Sequence, residues 1–250
     1  MNDILKFTAL SFTFILFAFR VSFAQVNQEW AATYRALGAG SDFANSVAVD
    51  FSGNVYVTGK SKTEFLTIKY NASGAEQWVV RYGNGAANSI AVDESGNVYV
   101  TGTTTGTGTF GDFATIKYDS LGNVKWVATF DGQGSSSDEA SSMYVDSMGN
   151  VYVTGLMRGV GTDQFFDYAT VKYDSSGQQL WFARYNGPGN GRDFAYSIAV
   201  DAYENVYVTG ESSGIGTMAD FATVKYNSSG IEQWVRRYNG PGIVMTLAAR

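Results

Sequence analysis

Residues 93–102 read Asp-Glu-Ser-Gly-Asn-Val-Tyr-Val-Thr-Gly, and three other stretches of the chain follow the same pattern. In each copy an aspartate is followed, after three residues, by Asn-Val-Tyr-Val-Thr-Gly. The copies are Asp50–Gly59, Asp93–Gly102, Asp146–Gly155 and Asp201–Gly210. Recurrence at intervals of 43 to 55 residues is typical of repeat architectures, in which each unit buries its apolar surface against its neighbours.

Two further segments recur behind each copy. The first is an aromatic-Ala-Thr-(Ile/Val)-Lys-Tyr stretch at Phe65–Tyr70 (with Leu66 for Ala), Phe113–Tyr118, Tyr168–Tyr173 and Phe221–Tyr226. The second is a tryptophan at Trp78, Trp126, Trp181 and Trp234, with an extra copy at Trp30. Branched and aromatic residues bounded by glycine turns predict four short strands per unit, which we call a, b, c and d.

Strand b has apolar or aromatic side chains on both faces. Val98 and Val100 point to one side and Tyr99 to the other, because side chains alternate along a strand. A sheet wetted on one face would be polar there, so both faces of each unit are expected to be covered. Four-stranded antiparallel sheets of this kind predict an all-β fold, a β-propeller with four complete blades.

The repeat boundaries define the domain organisation. Blades are predicted at about residues 42–83, 86–131, 138–186 and 193–239 within a propeller region 25–242, after an extra strand at 29–35 and before a divergent tail at 243–250. The extra strand resembles strand d without its partners, so we expect an incomplete, open ring and the N-terminal part of a longer propeller. A forced four-bladed ring is the alternative. An open ring would leave apolar faces bare at both ends, which favours self-association.

The first 24 residues have the form of a secretory signal peptide. Lys6 precedes an apolar run of 13 residues, Phe7–Phe19, and small residues follow at Ser22 and Ala24. This run is shorter than the roughly 20 residues of a membrane-spanning helix, so no stable membrane span is expected. The protein is therefore predicted to be exported by a bacterium and secreted or held at the cell surface, with the periplasm as an alternative.

Composition excludes several kinds of chemistry. The chain contains no cysteine and no histidine, which excludes thiolate nucleophiles, Cys/His zinc sites and Ser-His-Asp triads. Its net charge of −6 offers no basic surface for nucleic acid. No catalytic residue is predicted, and the four strand-c lysines are interpreted as stems packed on tyrosine with solvated ammonium groups.

All variation in length lies in the b–c and d–a loops, which emerge on one face of a meander; we call it the loop face. Binding residues commonly lie in such loops on a rigid scaffold. The candidate ligand-binding residues there are Asp112, Asp138, Asp167, Asp193 and Asp220. No cofactor is predicted apart from calcium, for which the ligands would be Asp138, Asp167, Asp193 and Asp220, since calcium prefers oxygen donors. Alternatively, each aspartate holds its own loop to its blade, which explains better why every blade has one.

Two functions remain open. The first is a non-catalytic binding or scaffolding module for a protein or carbohydrate ligand. The second is a carbohydrate-active hydrolase or lyase that uses two of the loop-face aspartates. General acid–base work needs carboxyl groups in unlike environments, whereas the repeat gives its aspartates like ones. The pattern therefore favours the binding module.

The segments Asp93–Gly102 and Asp112–Tyr118 resemble the bacterial seven-bladed β-propeller repeat family, SBBP, and the likeness extends over about residues 30–242. The resemblance implies a propeller fold in an exported or surface-displayed bacterial protein, often large and multidomain and without an assigned reaction. It implies no catalytic residues, because the family has no shared catalytic motif.

Overall fold

The computed structural model of the chain describes residues 28–36, 40–105, 111–132, 137–159 and 165–240. The predicted signal peptide and the tail 243–250 lie outside these residues. The chain divides into two compact units, Met1–Ala31 and Ala32–Arg250. Residues 28–36 contain no strand, so the extra strand predicted at 29–35 is not formed, and none of the sheets in the described residues includes it. All strands described below belong to the second unit.

Sixteen strands are found in the described residues, and they form four antiparallel sheets. The strands are β1 (Asp42–Val49), β2 (Val55–Ser61), β3 (Glu64–Tyr70), β4 (Glu76–Tyr82), β5 (Gly85–Val92), β6 (Val98–Thr105), β7 (Gly111–Tyr118), β8 (Val124–Phe130), β9 (Glu139–Val145), β10 (Val151–Arg158), β11 (Phe166–Tyr173), β12 (Gln179–Tyr185), β13 (Asp193–Val200), β14 (Val206–Ser213), β15 (Ala219–Tyr226) and β16 (Glu232–Tyr238). Sheets 1 to 4 are β1–β4, β5–β8, β9–β12 and β13–β16, each with its strands in chain order. The all-β prediction of four four-stranded blades is confirmed.

The a–b hairpins owe their geometry to the aspartate that begins each repeat motif. Oδ1 of Asp93 accepts the backbone N–H groups of Ser95 (3.0 Å) and Asn97 (2.9 Å), and Oδ2 accepts the hydroxyl of Tyr99 (3.0 Å). Gly96 has a φ of 76°, in the left-handed region that glycine adopts without strain. Because the side chain takes up the turn's donors, this hairpin forms from local sequence.

Sheet 4 departs from this turn at Glu204, which keeps a left-handed φ of 60° without being glycine. Such a conformation costs about 1 kcal/mol. Its carboxylate accepts a hydrogen bond at 2.7 Å from Nζ of Lys172 in the preceding sheet. Lys172 is 4% exposed, so the prediction of a solvated ammonium group is wrong at this position. The ion pair with Glu204 explains the difference, because it allows the lysine to be buried.

Consecutive sheets pack face to face. β5 packs on β1, β2 and β3, β9 on β5, β6 and β7, and β13 on β9, β10 and β11. We call the face that each sheet turns toward the next sheet its forward face, and the opposite face its backward face. The forward face presents aromatic side chains such as Tyr99, Phe113 and Phe130, which pack against Val151, Val153 and other residues on the backward face of sheet 3.

A tryptophan from each of the first three sheets binds the turn of the next. Nε1 of Trp78, Trp126 and Trp181 donates to the backbone carbonyl of Ser120, Ser175 and Ser228, respectively, at 3.0–3.1 Å. The ring of Trp126 lies so close to Gly177 that an added Cβ would stand 2.7 Å from it. The repeated tryptophan therefore packs between consecutive blades, and the c–d turn glycine provides the space that the indole needs.

The array of sheets is open. Among the described residues, no packing of comparable extent joins sheet 4 to sheet 1. Each pair of consecutive sheets shares a buried apolar cluster. In the part of the chain that the structure describes, no such cluster lies on the forward face of sheet 4. The described residues also contain no helix long and apolar enough to cross a membrane.

Candidate functional site

The loop face is formed where strands a and c begin and strands b and d end. Two acidic positions recur there in the repeat. One lies at the start of strand a and the other at the start of strand c. Both sets were candidates for ligand binding, and the structure shows what each carboxylate contacts.

The strand-a aspartates accept hydrogen bonds from the backbone of their own loops. Oδ2 of Asp138 accepts from the N–H of Gly132 at 2.6 Å, and Oδ1 accepts from the N–H of Arg158 at 3.1 Å. Asp193 accepts in the same way from Gly187 (2.7 Å) and Ser213 (2.9 Å). The first partner belongs to the d–a loop and the second to the end of strand b. Each carboxylate therefore holds a d–a loop to the sheet that follows it.

The strand-c acids pair with arginines of strand d, each of which lies opposite the residue two positions after the acid. Glu64 accepts from Nη1 of Arg81 at 2.8 Å, Asp220 accepts from Nη2 of Arg237 at 3.0 Å, and Asp167 pairs with Arg184. These arginines were not predicted from the sequence. Their signal is a Trp-x-x-Arg motif, because each arginine stands three residues after the repeated tryptophan in sheets 1, 3 and 4.

Sheet 2 lacks both features. Thr129 stands at the arginine position, opposite Ala114, and Gly85 stands where the other sheets begin with aspartate. Here the acidic side chains meet one another instead. Carboxylate oxygens of Asp112, Asp131 and Asp138 lie within 4.8 Å of one another at the junction of sheets 2 and 3. Asp131, at the end of strand d, was not among the predicted residues.

Burial controls the electrostatics of the strand-a aspartates. Asp138 is 2% exposed, and this burial raises its pKa to about 6, with a further contribution from the charges of Asp131 and Asp112. Burial also raises the pKa of Asp193. Asp42 holds the same position in sheet 1, but the hydrogen bond with Ser61 lowers its pKa below the ordinary value. The same residue in the same repeat position thus titrates differently in different sheets.

The five predicted aspartates are not all brought together. Asp112 and Asp138 share one group at the junction of sheets 2 and 3. Asp167 and Asp220 each pair with an arginine of their own sheet, and Asp193 is bonded to its loop backbone. Carboxylates close to one another are an arrangement that can bind cations or sugar hydroxyls.

A second concave region lies at the opposite end of the sheets, among the a–b turns. It is a hollow of about 410 Å³ lined by Phe51, Asp93, Glu94, Asp146 and neighbouring residues of sheets 1 to 3. Its two aspartates already accept hydrogen bonds from their own turns. This hollow was not predicted from the sequence, because the loops of variable length lie at the other end of the sheets.

Comparisons with known proteins agree with the repeat architecture. The family model described as SBBP, beta-propeller repeat, matches residues 34–65, 77–108 and 180–216, so the resemblance to this family is confirmed. No curated protein matches the chain.

Three solved structures illustrate the structural likeness. They are a protein of unknown function from Bacteroides caccae (TM-score 0.51, 16% identity, 79% of this chain and 61% of that one), a protein from Lactobacillus plantarum (0.50, 14%, 78% and 55%) and a gluconolactonase from Xanthomonas campestris (0.45, 12%, 79% and 62%). The chain thus spans about three fifths of their lengths. The likeness to the first two structures, at 16% and 14% identity, shows the fold alone.

Proposed function

Because the chain carries SBBP β-propeller repeats, we propose that it is an exported, non-catalytic module that binds a protein or carbohydrate ligand through its loop face. Export is supported by the first 24 residues, which have the form of a signal peptide. The acidic charge of the chain argues against a nucleic-acid partner.

One observation carries the proposal. The d–a loops that lead into sheets 3 and 4 are bonded through their backbone to buried aspartates, at Gly132–Asp138 and Gly187–Asp193. The loop of residues 186–192, which leads into sheet 4, is held in this way before a ligand arrives, so less conformational entropy is lost on binding. The loops themselves differ in length between sheets, which gives the face an irregular surface on a regular frame.

A second candidate, a carbohydrate-active hydrolase, is favoured by the Asp112, Asp131 and Asp138 group. Asp138 is buried with a pKa of about 6, whereas Asp131 is exposed. Two carboxyl groups in unlike environments are what an acid–base pair requires. In a glycosidase the buried carboxyl would donate a proton to the leaving oxygen and the exposed carboxylate would act as nucleophile or base.

A glycan array followed by mass spectrometry of the bound sugars distinguishes the two candidates. For the binding module we expect saturable binding with the glycan recovered intact, and binding that survives Asp131→Asn, because in the described part of the chain no loop is held by Asp131 in the way that Asp138 holds one. Cleaved products that disappear in Asp131→Asn would favour the hydrolase. Absence of binding to glycans and to extracellular proteins would contradict both.

Calcium is the cation that we propose for the loop face, and its test is separate. The carboxylate oxygens of Asp112, Asp131 and Asp138 are close enough to one another to act as ligands of one ion, and the test is made at pH 7.5. Millimolar calcium should raise the thermal midpoint of the protein, and Asp112→Asn should abolish the increase. Asp119→Asn, in an exposed turn at the opposite end, is the matched control. An equal midpoint with calcium and with chelator would exclude this role.

A further inference from the structure

The forward face of sheet 4 is bare, although its residues repeat those of covered faces. Phe221 is 70% exposed, whereas Phe65, Phe113 and Tyr168, at the same position in the other sheets, are 0–1% exposed. Tyr238 and Tyr196 are also exposed on this sheet. Tyr196 and Phe221 border a groove of about 400 Å³ that also contacts Thr209 and Glu211.

The backward face of sheet 1 is bare at strand a. Val47 is 62% exposed, whereas Ile90, Met143 and Ile198, which pair with the equivalent strand-b valines, are 7–9% exposed. On the same face, the strand-c residues Leu66, Ile68 and Tyr70 are buried, and Tyr34 packs against them. Strand a of this sheet is therefore exposed, while the region of strand c is covered.

Tyr34 contacts sheet 1 in the same way as the tyrosine at the end of strand d of sheet 3 contacts sheet 4. Its hydroxyl accepts a hydrogen bond from Nη2 of Arg81 at 2.8 Å, just as the hydroxyl of Tyr185, at the end of β12, accepts from Nη1 of Arg237 at 2.9 Å. Tyr34 precedes Asp42 by eight residues, the interval that also separates Tyr185 from Asp193.

The following loop repeats the same contact. The N–H of Ala36 donates to Oδ2 of Asp42 at 3.0 Å, as the N–H of Gly187 donates to Oδ2 of Asp193 at 2.7 Å. These two hydrogen bonds repeat the contacts that the end of strand d and the following d–a loop make between sheets 3 and 4, although residues 28–36 are not paired as a strand.

We propose that the two bare faces bind a three-stranded antiparallel unit of another SBBP polypeptide, which the segment around Tyr34 completes as fourth strand. The unit would cover Val47 with its forward face. In a closed array of five blades its backward face would also cover Phe221. Completion of a sheet by an added strand is an established mode of recognition between chains.

The internal interfaces define the chemistry of this partner. Tyr168, the equivalent of Phe221, packs against Ala195 and Ala222, and its hydroxyl donates to the carbonyl of Ala222 at 3.3 Å. A partner must therefore present small residues opposite Phe221 and branched apolar residues beside them. A second copy of this chain fits less well, because its own Tyr238 would fall on the place that Tyr34 already fills.

The test uses the secreted chain and a fluorescein-labelled synthetic polypeptide of residues 193–226, which holds strands a, b and c of sheet 4. Fluorescence anisotropy should show saturable binding with one probe per chain. Phe221→Asp should weaken this binding by about tenfold or more, because it places a charge in a buried aromatic contact. Phe51→Asp, at another exposed aromatic residue, which lies in an a–b turn, should leave the binding unchanged.

Three results would overturn the proposal. They are absence of saturable binding at about 100 μM probe, equal binding by wild type and Phe221→Asp, and self-association of the chain through Phe221 that the probe does not displace. Phe221 and Tyr238 are exposed, so Phe221→Asp and Tyr238→Ser should keep the wild-type thermal midpoint. If both variants keep that midpoint but no longer bind the probe, the loss of binding is due to the missing contact and not to unfolding. Failure of glycan binding has no bearing on this test.

Discussion

Phe113 and Phe221 stand at the same position of the same repeat in opposite environments. Phe113 of sheet 2 is fully buried against sheet 3, whereas Phe221 of sheet 4 lies in solvent. Trp126 likewise donates to the next sheet, while the equivalent Trp234 has Arg236 over its ring. In a repeat protein, the energetic role of a residue thus depends on whether a neighbouring unit follows it.

The largest contrast is expected from truncating these two aromatic side chains. Phe113→Ala should lower the free energy of unfolding by about 3–5 kcal/mol, because it leaves a cavity in a packed interface. Phe221→Ala should change it by less than about 0.5 kcal/mol, as exposed positions do. Urea unfolding followed by tryptophan fluorescence measures both. Equal losses would show that the face of sheet 4 is covered in solution.

A second pair separates a steric clash from backbone strain. Gly177 and Gly216 both have positive φ, 86° and 74°, but an added Cβ meets Trp126 at 2.7 Å in the first and nothing within 4 Å in the second. Gly177→Ala should therefore lower the free energy of unfolding by about 3 kcal/mol, and Gly216→Ala by about 1 kcal/mol. If thermal denaturation shows equal shifts, Trp126 does not hold the two sheets together.

The pH dependence of the free energy of unfolding should differ between the buried Asp138, at the junction of sheets 2 and 3, and Asp42 of sheet 1. The pKa of Asp138 is about 6 against an ordinary value of 3.8, so folding favours its protonated form. The stability it contributes is fully present below pH 3.8 and is lost as the pH rises through 6. The difference between the two pKa values corresponds to a loss of about 3 kcal/mol in the free energy of unfolding. Asp138→Asn should remove this pH-dependent loss, measured by urea unfolding between pH 4 and 7.

Asp42 supplies the opposite case for the same titration. Its pKa lies below the ordinary value because of the hydrogen bond with Ser61. The stability it contributes is therefore present above pH 3.8 and is lost at lower pH. Asp42→Asn should weaken the destabilisation seen in acid. If Asp138→Asn and Asp42→Asn changed the pH dependence of the free energy of unfolding in the same direction, burial would not be the cause of the raised pKa of Asp138.

The smallest difference between paired variants is expected at the two tyrosine hydroxyls that accept from arginine. Tyr34→Phe and Tyr185→Phe should each lower the free energy of unfolding by about 1 kcal/mol, the net contribution of one hydrogen bond. Guanidinium chloride unfolding compares them. A loss at Tyr185 without one at Tyr34 would show that the segment around Tyr34 does not act as a strand d.

The fold could be predicted from particular residues because its hairpins are local. Asp93, Gly96 and Tyr99 lie within seven positions and form their turn without help from distant residues. The candidate site could be predicted only in part. Asp131 belongs to the carboxylate group through the d–a loop, and no repeated motif marks it. The burial of Lys172 depends on Glu204 of another sheet, which the repeat alone could not show.

The sequence by itself determined the strands, their order in each sheet and the side chains on each face, because these follow from alternation and turn chemistry over a few residues. Only the tertiary structure decided which copies of a repeated residue are buried, which acids meet and which faces stay exposed. Those properties depend on contacts between sheets, and identical motifs have different neighbours in the interior and at the ends of the array.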